Sequence, residues 1–193
     1  MRKIGITGAI GSGKTTVCRI FSLLGVPVYN ADREAKKILM ASPELHARLR
    51  TLFGHNVFSG ELPDSAKLAA LVFNNAEALN KLNEMLHPAV ARGFENWVTD
   101  KNKDRYVIKE AAILFEAGAD KGLDHVVVVT APEELRKQRT QHRYTGSPGQ
   151  FELRQQSQWS EKEKAARADF IIRNDDRELV IPQVMELHKT FSA

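Results

Sequence analysis

Gly8-Ala9-Ile10-Gly11-Ser12-Gly13-Lys14-Thr15 matches the pattern G-x-x-x-x-G-K-[ST] at every fixed position, and this match says most about the architecture of the chain. The residues before it, 3–7, have the character of a short β-strand, and residues 16–24 have the apolar spacing of a helix. A strand, a glycine-rich loop and a helix in this order predict a phosphate-binding P-loop.

The predicted loop carries the groups that bind a nucleoside triphosphate. Its glycines let successive backbone N–H groups point at a polyphosphate, and the start of the helix adds a partial positive charge. The ammonium of Lys14 can bridge the β- and γ-phosphates, and the hydroxyl of Thr15 can ligate Mg²⁺. We therefore expect ATP as co-substrate and Mg²⁺ as cofactor, with ATP bound by Gly11, Ser12, Gly13, Lys14, Thr15 and Thr16.

Length and charge limit what the chain does with that nucleotide. Its 193 residues can bury one sizeable core, which leaves no room for a second catalytic domain or a motor array. A net charge of +4 suggests a polyanionic partner, either a phosphorylated metabolite or a nucleic acid. Because the basic residues are spread among acids, without an arginine-rich tail, we expect no nucleic-acid partner.

Cysteine usage and apolar segments predict a cytoplasmic protein. Cys18 is the single cysteine, so no intrachain disulfide can form, as is usual in a reducing compartment. No window approaches the ~18 to 20 apolar residues of a membrane-spanning helix, and we expect no secretory leader. We therefore predict no membrane association, and a monomer or small homo-oligomer.

Strand-like and helix-like segments alternate along the rest of the chain. Further strands are predicted at 26–29, 105–109, 125–130 and 170–172, and helices at 32–40, 132–143, from 160 onward and at 180–191. This alternation predicts an α/β fold with a five-stranded parallel sheet flanked by helices. Ligands bind at the carboxyl ends of such strands, so Thr7, Asn30, Lys109 and Thr130 should face the site.

Residues 42 to about 98 have helical spacing and predict an α-helical, substrate-binding insertion. Ser42, Asp64 and Asn75 are plausible helix caps, and the proline of Leu86-His87-Pro88 should break or kink a helix. We predict a single kinase domain over 1–193, with its core at about 1–40, 104–135 and 168–193, the insertion at about 42–98 and a lid at about 136–167.

Asp32 follows the second predicted strand and therefore lies on the same edge as the P-loop. A carboxylate there can accept a hydrogen bond from an attacking hydroxyl and orient it toward the γ-phosphate. The same residue can also be the N-cap of the next helix, which requires no chemistry. The two interpretations are compatible, and both stay open.

A basic set in the second half of the chain has two interpretations as well. It consists of Arg136, Lys137, Arg139, Arg143 and Arg154. Phosphoryl transfer needs cations over the developing charge and a movable cover that excludes water, and the glycine-containing segment around 144–150 could provide a hinge. A solvated helix face would show the same charges.

Two acids flank an apolar run between Glu110 and Glu116. This segment follows the third predicted strand, so it could wall a substrate pocket, with Glu110 near the metal ion. The apolar residues could equally be core, which is the interpretation that we favour for Ile113.

Taken together, these residues resemble the dephospho-coenzyme A kinase family. The family opening Thr-Gly-Gly-Ile-Gly-Ser-Gly-Lys-Ser/Thr-Thr is similar to residues 7–16, and its Asp-Ala-Asp is similar to residues 30–32. Its Leu-His-Pro and Pro-Leu-Leu-Phe-Glu motifs resemble residues 86–88 and 112–116. Gln158 and the run 168–174 also match, so the resemblance covers nearly the whole chain.

The resemblance implies a reaction and the residues that perform it. Members of the family transfer the γ-phosphate of ATP to the ribose 3′-hydroxyl of dephospho-CoA with Mg²⁺, in the last step of coenzyme A synthesis. The residues implied for catalysis are Lys14, Asp32 and Arg139. For ATP, the resemblance implies Arg139 and Arg143 in the lid and Asn174 near the adenine. For dephospho-CoA it implies Asp32, His87, Leu114, Phe115 and Glu116. A lone histidine before a proline is more often structural, so His87 keeps that alternative.

Several positions depart from the family pattern, among them Ala9, which stands in place of the second glycine of the opening. Asn30 replaces the first aspartate, Ala112 replaces a proline, and Tyr144 stands where an aspartate often follows the lid arginine. Two other functions also remain possible: a kinase for another small molecule, such as a nucleoside monophosphate or a sugar acid, and a nucleotide sensor without catalysis. The motifs at 86–88 and 112–116 argue against the first, and Asp32 with the lid arginines argues against the second.

Overall fold

The computed structural model describes residues 1–73, 75–101, 103–141, 155 and 158–193. In chain order its elements are β1 (Arg2–Thr7), α1 (Lys14–Leu23), β2 (Val28–Asn30), α2 (Ala31–Ala41), α3 (Pro43–Phe53), a 3₁₀ turn (His55–Val57), β3 (Phe58–Ser59), β4 (Leu62–Pro63), α4 (Ser65–Phe73), α5 (Ala76–Thr99), β5 (Tyr106–Glu110), β6 (His125–Thr130), α6 (Glu133–Gln141), α7 (Glu161–Ala165), β7 (Phe170–Arg173) and α8 (Val180–Ser192).

The central sheet has the order β2-β5-β1-β6-β7, and all of its neighbouring strands are parallel. Ile4 of β1 pairs with Ile108 on one side and with His125 on the other, so β1 is the middle strand. The β-branched residues 126–129 of β6 are buried, as expected for a parallel strand covered on both faces. The predicted five-stranded parallel α/β fold is confirmed.

An apolar core fixes α1 against this sheet. Val17 and Phe21 of α1 belong to the same buried cluster as Ile108 of β5 and Val184 and Phe191 of α8. Full burial of one such side chain contributes about 1.5–3 kcal/mol. The phosphate loop precedes α1 directly, so packing of α1 also fixes where the loop ends.

Several helix ends follow the predicted capping chemistry. The hydroxyl of Ser42 accepts a hydrogen bond from the backbone N–H of Leu45, and α3 begins with proline at its first position. The carboxylate of Asp64 and the side-chain oxygen of Asn75 accept bonds from the first turns of α4 and α5. At α7, Ser160 and Glu163 form a reciprocal capping box, as predicted.

Contacts between Cα atoms divide the chain into two compact units, and the second of them comprises Ala31–Asn96. The first is formed by Met1–Asn30 with Trp97–Ala193. The second unit has its own core, in which Leu49 and Met85 are almost completely buried. Helix α2 belongs to this unit, whereas the sequence placed 32–40 with the core.

Two expectations for the insertion are corrected. It is not purely helical, because β3 and β4 form a small antiparallel ladder around Gly60, whose φ of 64° suits a tight turn. Of the two outcomes predicted for Pro88, a break or a kink, the break does not occur, since α5 is continuous from Ala76 to Thr99. No helix in the described ranges is both long and apolar enough to cross a membrane.

Candidate active site

The phosphate loop connects β1 to α1 at the carboxyl edge of the sheet. Gly11 and Gly13 have φ values of 80° and 95°, in the left-handed region that favours glycine. A Cβ at Gly13 would lie 2.1 Å from the Nδ2 atom of Asn174, and one at Gly11 would lie 2.5 Å from the carbonyl oxygen of Arg136. Both glycines are therefore required by backbone conformation and by close neighbours.

Lys14 is the first residue of α1, and its ammonium group lies across the loop. It donates to the carbonyl oxygens of Gly8, at 2.9 Å, and of Ala9, at 3.4 Å. The ammonium is thus already at the loop, where a triphosphate would wrap. Thr16 is exposed beside it at the start of α1.

Glu110, at the end of β5, organises the polar groups on one side of the loop. It is 5% exposed, and its Oε1 accepts a hydrogen bond from the Thr15 hydroxyl at 2.9 Å. Its Oε2 accepts one from the amide of Asn30 at 2.7 Å. Burial, followed by the negative charge of Glu110, raises the pKa of the Cys18 thiol well above its usual value. Glu110 is therefore surrounded by donors.

The Thr15–Glu110 pair has the chemistry of a magnesium site. A hydroxyl and a carboxylate are hard oxygen ligands, and Mg²⁺ is usually held by one or two carboxylates together with substrate phosphates and water. No cluster of three or more His, Cys, Asp or Glu side chains that could hold a metal occurs among the described residues. The pair could ligate Mg²⁺ together with the phosphate oxygens of a nucleotide.

Side chains from three distant segments hold the backbone of the loop. The amide of Asn174, directly after β7, donates to the Ser12 carbonyl at 2.8 Å. The Gln158 side chain accepts from the backbone N–H of Ile10 at 3.2 Å, and the Arg136 guanidinium donates to the carbonyl of the same residue at 3.4 Å. These contacts stabilise the loop conformation that phosphate binding requires.

Arg139 lies next to these loop contacts. Its guanidinium donates to the backbone carbonyl of Asn174 at 3.0 Å and forms an ion pair with Asp176 at 2.6 Å. Arg139, predicted as a catalytic residue, and Asn174, predicted to bind ATP, are thus brought together beside Gly13. Arg143, Tyr144 and Arg154 lie outside the described residues, as do residues 142–154 and 156–157 of the predicted lid.

The basic set of α6 divides by environment. Arg136 is 5% exposed and donates to the Ala131 carbonyl at 3.1 Å, so it is a buried structural residue. Burial also raises the pKa of Glu161, 3.7 Å from Arg136. Lys137 forms solvated ion pairs with Glu133 and Glu134, as the interpretation of a charged helix face predicts.

Most of the apolar side chains between Glu110 and Glu116 are buried in the protein. Leu114 is completely buried and Phe115 is 6% exposed, whereas Ile113, favoured as core, is only partly buried. The Phe115 ring is nearly parallel to that of Trp159, with 6.2 Å between centroids. Glu116 forms a 2.8 Å ion pair with the fully buried Lys164. The core interpretation therefore fits Leu114 and Phe115 better than Ile113.

Asp32 and His87 belong to the second unit. Asp32 is exposed and is the second residue of α2, which begins directly after Asn30 at the end of β2. The helix starts one residue earlier than the N-cap interpretation places it, so Asp32 lies within the first turn of α2. His87 is partly buried near the middle of α5.

Three residues that contact predicted site residues were not predicted from the sequence. Lys164 and Trp159 hold Glu116, and Asp176 holds Arg139. A lysine in a short charged helix is normally exposed, so the sequence did not indicate that Lys164 is buried. The Asp175-Asp176 pair after β7 could have suggested a partner for a lid arginine.

Comparison with known proteins shows the family to which the chain is similar. The family model described as Dephospho-CoA kinase matches residues 2–179. A Dephospho-CoA kinase from Bacteroides fragilis strain YCH46 is 40% identical over 185 residues, which cover 96% of this chain and 90% of that protein. Another, from Chlorobaculum tepidum, is 40% identical over 179 residues, covering 89% and 86%.

Solved structures agree in fold. TT1252 from Thermus thermophilus has a TM-score of 0.82 at 32% identity, covering 98% of this chain and 95% of that one. Dephospho-CoA kinase from Campylobacter jejuni has a TM-score of 0.72 at 28% identity, covering 100% and 98%. A shikimate kinase from Acinetobacter baumannii in complex with shikimate, at 16% identity and a TM-score of 0.57, shares the fold alone. On the match over 2–179 and the relatives at 40% identity, this chain belongs to the dephospho-CoA kinase family.

Proposed function

We propose that this protein transfers the γ-phosphoryl group of ATP to the ribose 3′-hydroxyl of dephospho-CoA, giving coenzyme A and ADP. The observation that carries the proposal is the hydrogen bond of 2.9 Å between the Thr15 hydroxyl and the Glu110 carboxylate. It lies at the end of the phosphate loop, where the Lys14 ammonium also contacts the loop backbone. The family match over residues 2–179 supports the choice of acceptor.

Mg²⁺ would be held by the Thr15 hydroxyl, the Glu110 carboxylate and phosphate oxygens. When bound, it would neutralise charge that develops on the phosphates during transfer. Asn30 keeps the Glu110 carboxylate in place by donating to its Oε2. Lys14 supplies a cation that can exchange its loop carbonyl partners for phosphate oxygens.

The remaining roles extend the site to both substrates. We assign Asp32 to orientation of the acceptor hydroxyl, since phosphoryl transfer depends mainly on positioning of the nucleophile. Asn174 would bind ATP beside Gly13, and Arg139 and Arg143 would belong to the lid over ATP, with Arg139 acting in catalysis. His87, Leu114, Phe115 and Glu116 would form parts of the acceptor site. A reaction that uses ATP and a coenzyme precursor suits the cytoplasmic location and the Mg²⁺ requirement that we propose.

A panel of acceptors tests the function. ADP release would be measured with ATP and Mg²⁺ plus dephospho-CoA, adenosine, AMP or gluconate, with Lys14→Ala as the inactive control. We expect dephospho-CoA alone to raise ADP release far above the ATP-only rate, because binding of the pantetheine arm helps to position the ribose. Comparable turnover with AMP or gluconate would instead support a kinase for another small molecule. ATP binding without transfer to any acceptor would indicate a sensor.

A further inference from the structure

Lys164 is a buried cation for which the proposed chemistry has no role. It lies in α7, its side chain is 0% exposed, and its Nζ atom has two close acceptors. These are the carbonyl oxygen of Ala112, at 2.6 Å, and the Oε1 atom of Glu116, at 2.8 Å. Burying an ammonium group is unfavourable unless it is well paired, and an apolar side chain of similar volume usually serves stability as well or better. Stability alone therefore explains this lysine poorly.

Both acceptors of Lys164 lie at the ends of the segment 112–116. The Ala112 carbonyl also accepts from the hydroxyl of Thr7, the last residue of β1 before the phosphate loop, at 3.4 Å. Glu116 Oε1 also accepts from the backbone N–H of Trp159 at 2.8 Å. Lys164 therefore ties both ends of the segment to one point, and one of those ends is also bound to the strand that leads into the loop.

The contacts with Lys164 and Trp159 use only one of the two carboxylate oxygens of Glu116. Glu116 Oε2 is buried and has no hydrogen-bond partner in the part of the chain that the structure describes. A buried carboxylate oxygen without a donor is unfavourable, and such atoms in native proteins call for an explanation. Dephospho-CoA carries N–H and O–H donors on its base, its ribose and its pantetheine arm, any of which could bond to this oxygen.

We propose that Lys164 is a positioning residue for the acceptor, which acts through Glu116. By holding Oε1, it fixes the carboxylate so that Oε2 accepts a hydrogen bond from dephospho-CoA. The inference rests on the proposed function and adds to it a residue that does not itself touch either substrate. The two residues of the ion pair thus have different roles. Glu116 contacts dephospho-CoA, and Lys164 fixes the orientation of the Glu116 carboxylate.

Lys164→Met tests the inference, because methionine fills similar volume without charge. We expect the KM for dephospho-CoA to rise about tenfold or more, the usual effect of losing a hydrogen bond to a charged group. The KM for ATP and kcat should stay within about twofold, since the support acts on the acceptor. Lys162→Met is the matched control, because Lys162 is exposed on the same helix. It should leave all three constants unchanged.

The double variant Lys164→Met/Glu116→Gln keeps the test valid if the single variant folds poorly. Removing both charges of a buried pair is close to neutral, so we expect its melting temperature to return most of the way to that of the wild type. The KM for dephospho-CoA should nevertheless stay raised. If the double variant recovers a normal KM together with stability, Glu116 is not the contact and the inference fails. If the folded single variant has a normal KM, Lys164 is only structural. If the wild type fails to phosphorylate dephospho-CoA, the proposed function fails, and the inference fails with it.

Discussion

Asn30→Asp is the substitution whose effect follows most directly from the geometry of the site. It restores the aspartate that the family pattern has at this position, yet it removes the amide that donates to Glu110 Oε2 at 2.7 Å. The change places two carboxylates at about hydrogen-bond distance in a site where Glu110 is 5% exposed. Thr15 still donates to the other oxygen of Glu110. The two negative charges, on the new carboxylate at position 30 and on Glu110, then have the Thr15 hydroxyl as their one donor among the contacts described above.

The size of the effect can be bounded in two ways. At an effective dielectric constant of about 20, two charges roughly 3 Å apart repel by about 5 kcal/mol. Uptake of one proton near pH 8 by a carboxyl group whose pKa is ordinarily about 4 costs a similar amount, at 1.36 kcal/mol per pH unit. Relaxation lowers both figures, so we expect a loss of about 2–4 kcal/mol. For a chain of this length that lowers the melting temperature by roughly 5–15 °C.

The pH dependence gives the sign of the effect. The folded state of the variant raises the pKa of one carboxyl group above its unfolded value, so it binds more protons than the unfolded chain. The variant should therefore lose stability as pH rises from about 4 through the raised pKa, and should recover toward wild-type stability near pH 5. Added Mg²⁺ should stabilise the variant more than the wild type, because a divalent cation offsets the repulsion.

Thermal melting of matched variants provides the assay. Asn56→Asp adds the same charge at an exposed position and should melt like the wild type. Asn30→Asp/Glu110→Gln exchanges donor and acceptor, since the new amide at position 110 can donate to the new carboxylate at position 30. This double variant should recover most of the lost stability without lowering the pH. A melting temperature for Asn30→Asp equal to that of the wild type near pH 8, without metal, would refute the assigned contact between residues 30 and 110.

Three further variants test the other parts of the site. Gly13→Ala should abolish measurable ATP binding in calorimetry, because its Cβ would lie 2.1 Å from Asn174 Nδ2 at a φ of 95°; wild-type affinity would contradict the loop geometry. Arg139→Ala should reduce turnover more than ATP binding, by up to ~10³-fold; an unchanged turnover number would leave Arg139 as a surface ion pair with Asp176. Asp32→Asn should fold normally and lose roughly 10²-fold in turnover; activity within about threefold of the parent would exclude Asp32 as the group that orients the acceptor.

Local signals in the sequence predicted the architecture well. The glycine pattern, the β-branched runs and the caps at Ser42, Asp64, Asn75 and Ser160 depend on neighbours in sequence, and the structure confirms them. The hairpin around Gly60 was missed because its strands are only two residues long. Helix α2 starts at Ala31 rather than after Asp32, a shift within the usual uncertainty of helix ends.

The partners of the site residues could not be predicted in the same way. Glu110 is 80 residues from Asn30 and 95 from Thr15, and Glu116 is 48 residues from Lys164. Such pairs depend on strand order and on packing, which leave no periodicity in the sequence. The full burial of Leu114 and the partial burial of Ile113 have the same cause, since a turn after β5 decides which side chain points into the core.

The position of the transferred phosphate tests the central claim most directly. The purified protein would be incubated with ATP, Mg²⁺ and dephospho-CoA, and the product would be examined by phosphorus–proton correlation NMR. We predict a new phosphomonoester signal that correlates with the ribose H3′ proton, absent when Lys14→Ala replaces the wild type. A new phosphate correlated with H2′, or hydrolysis of ATP with dephospho-CoA unchanged, would contradict the assignment.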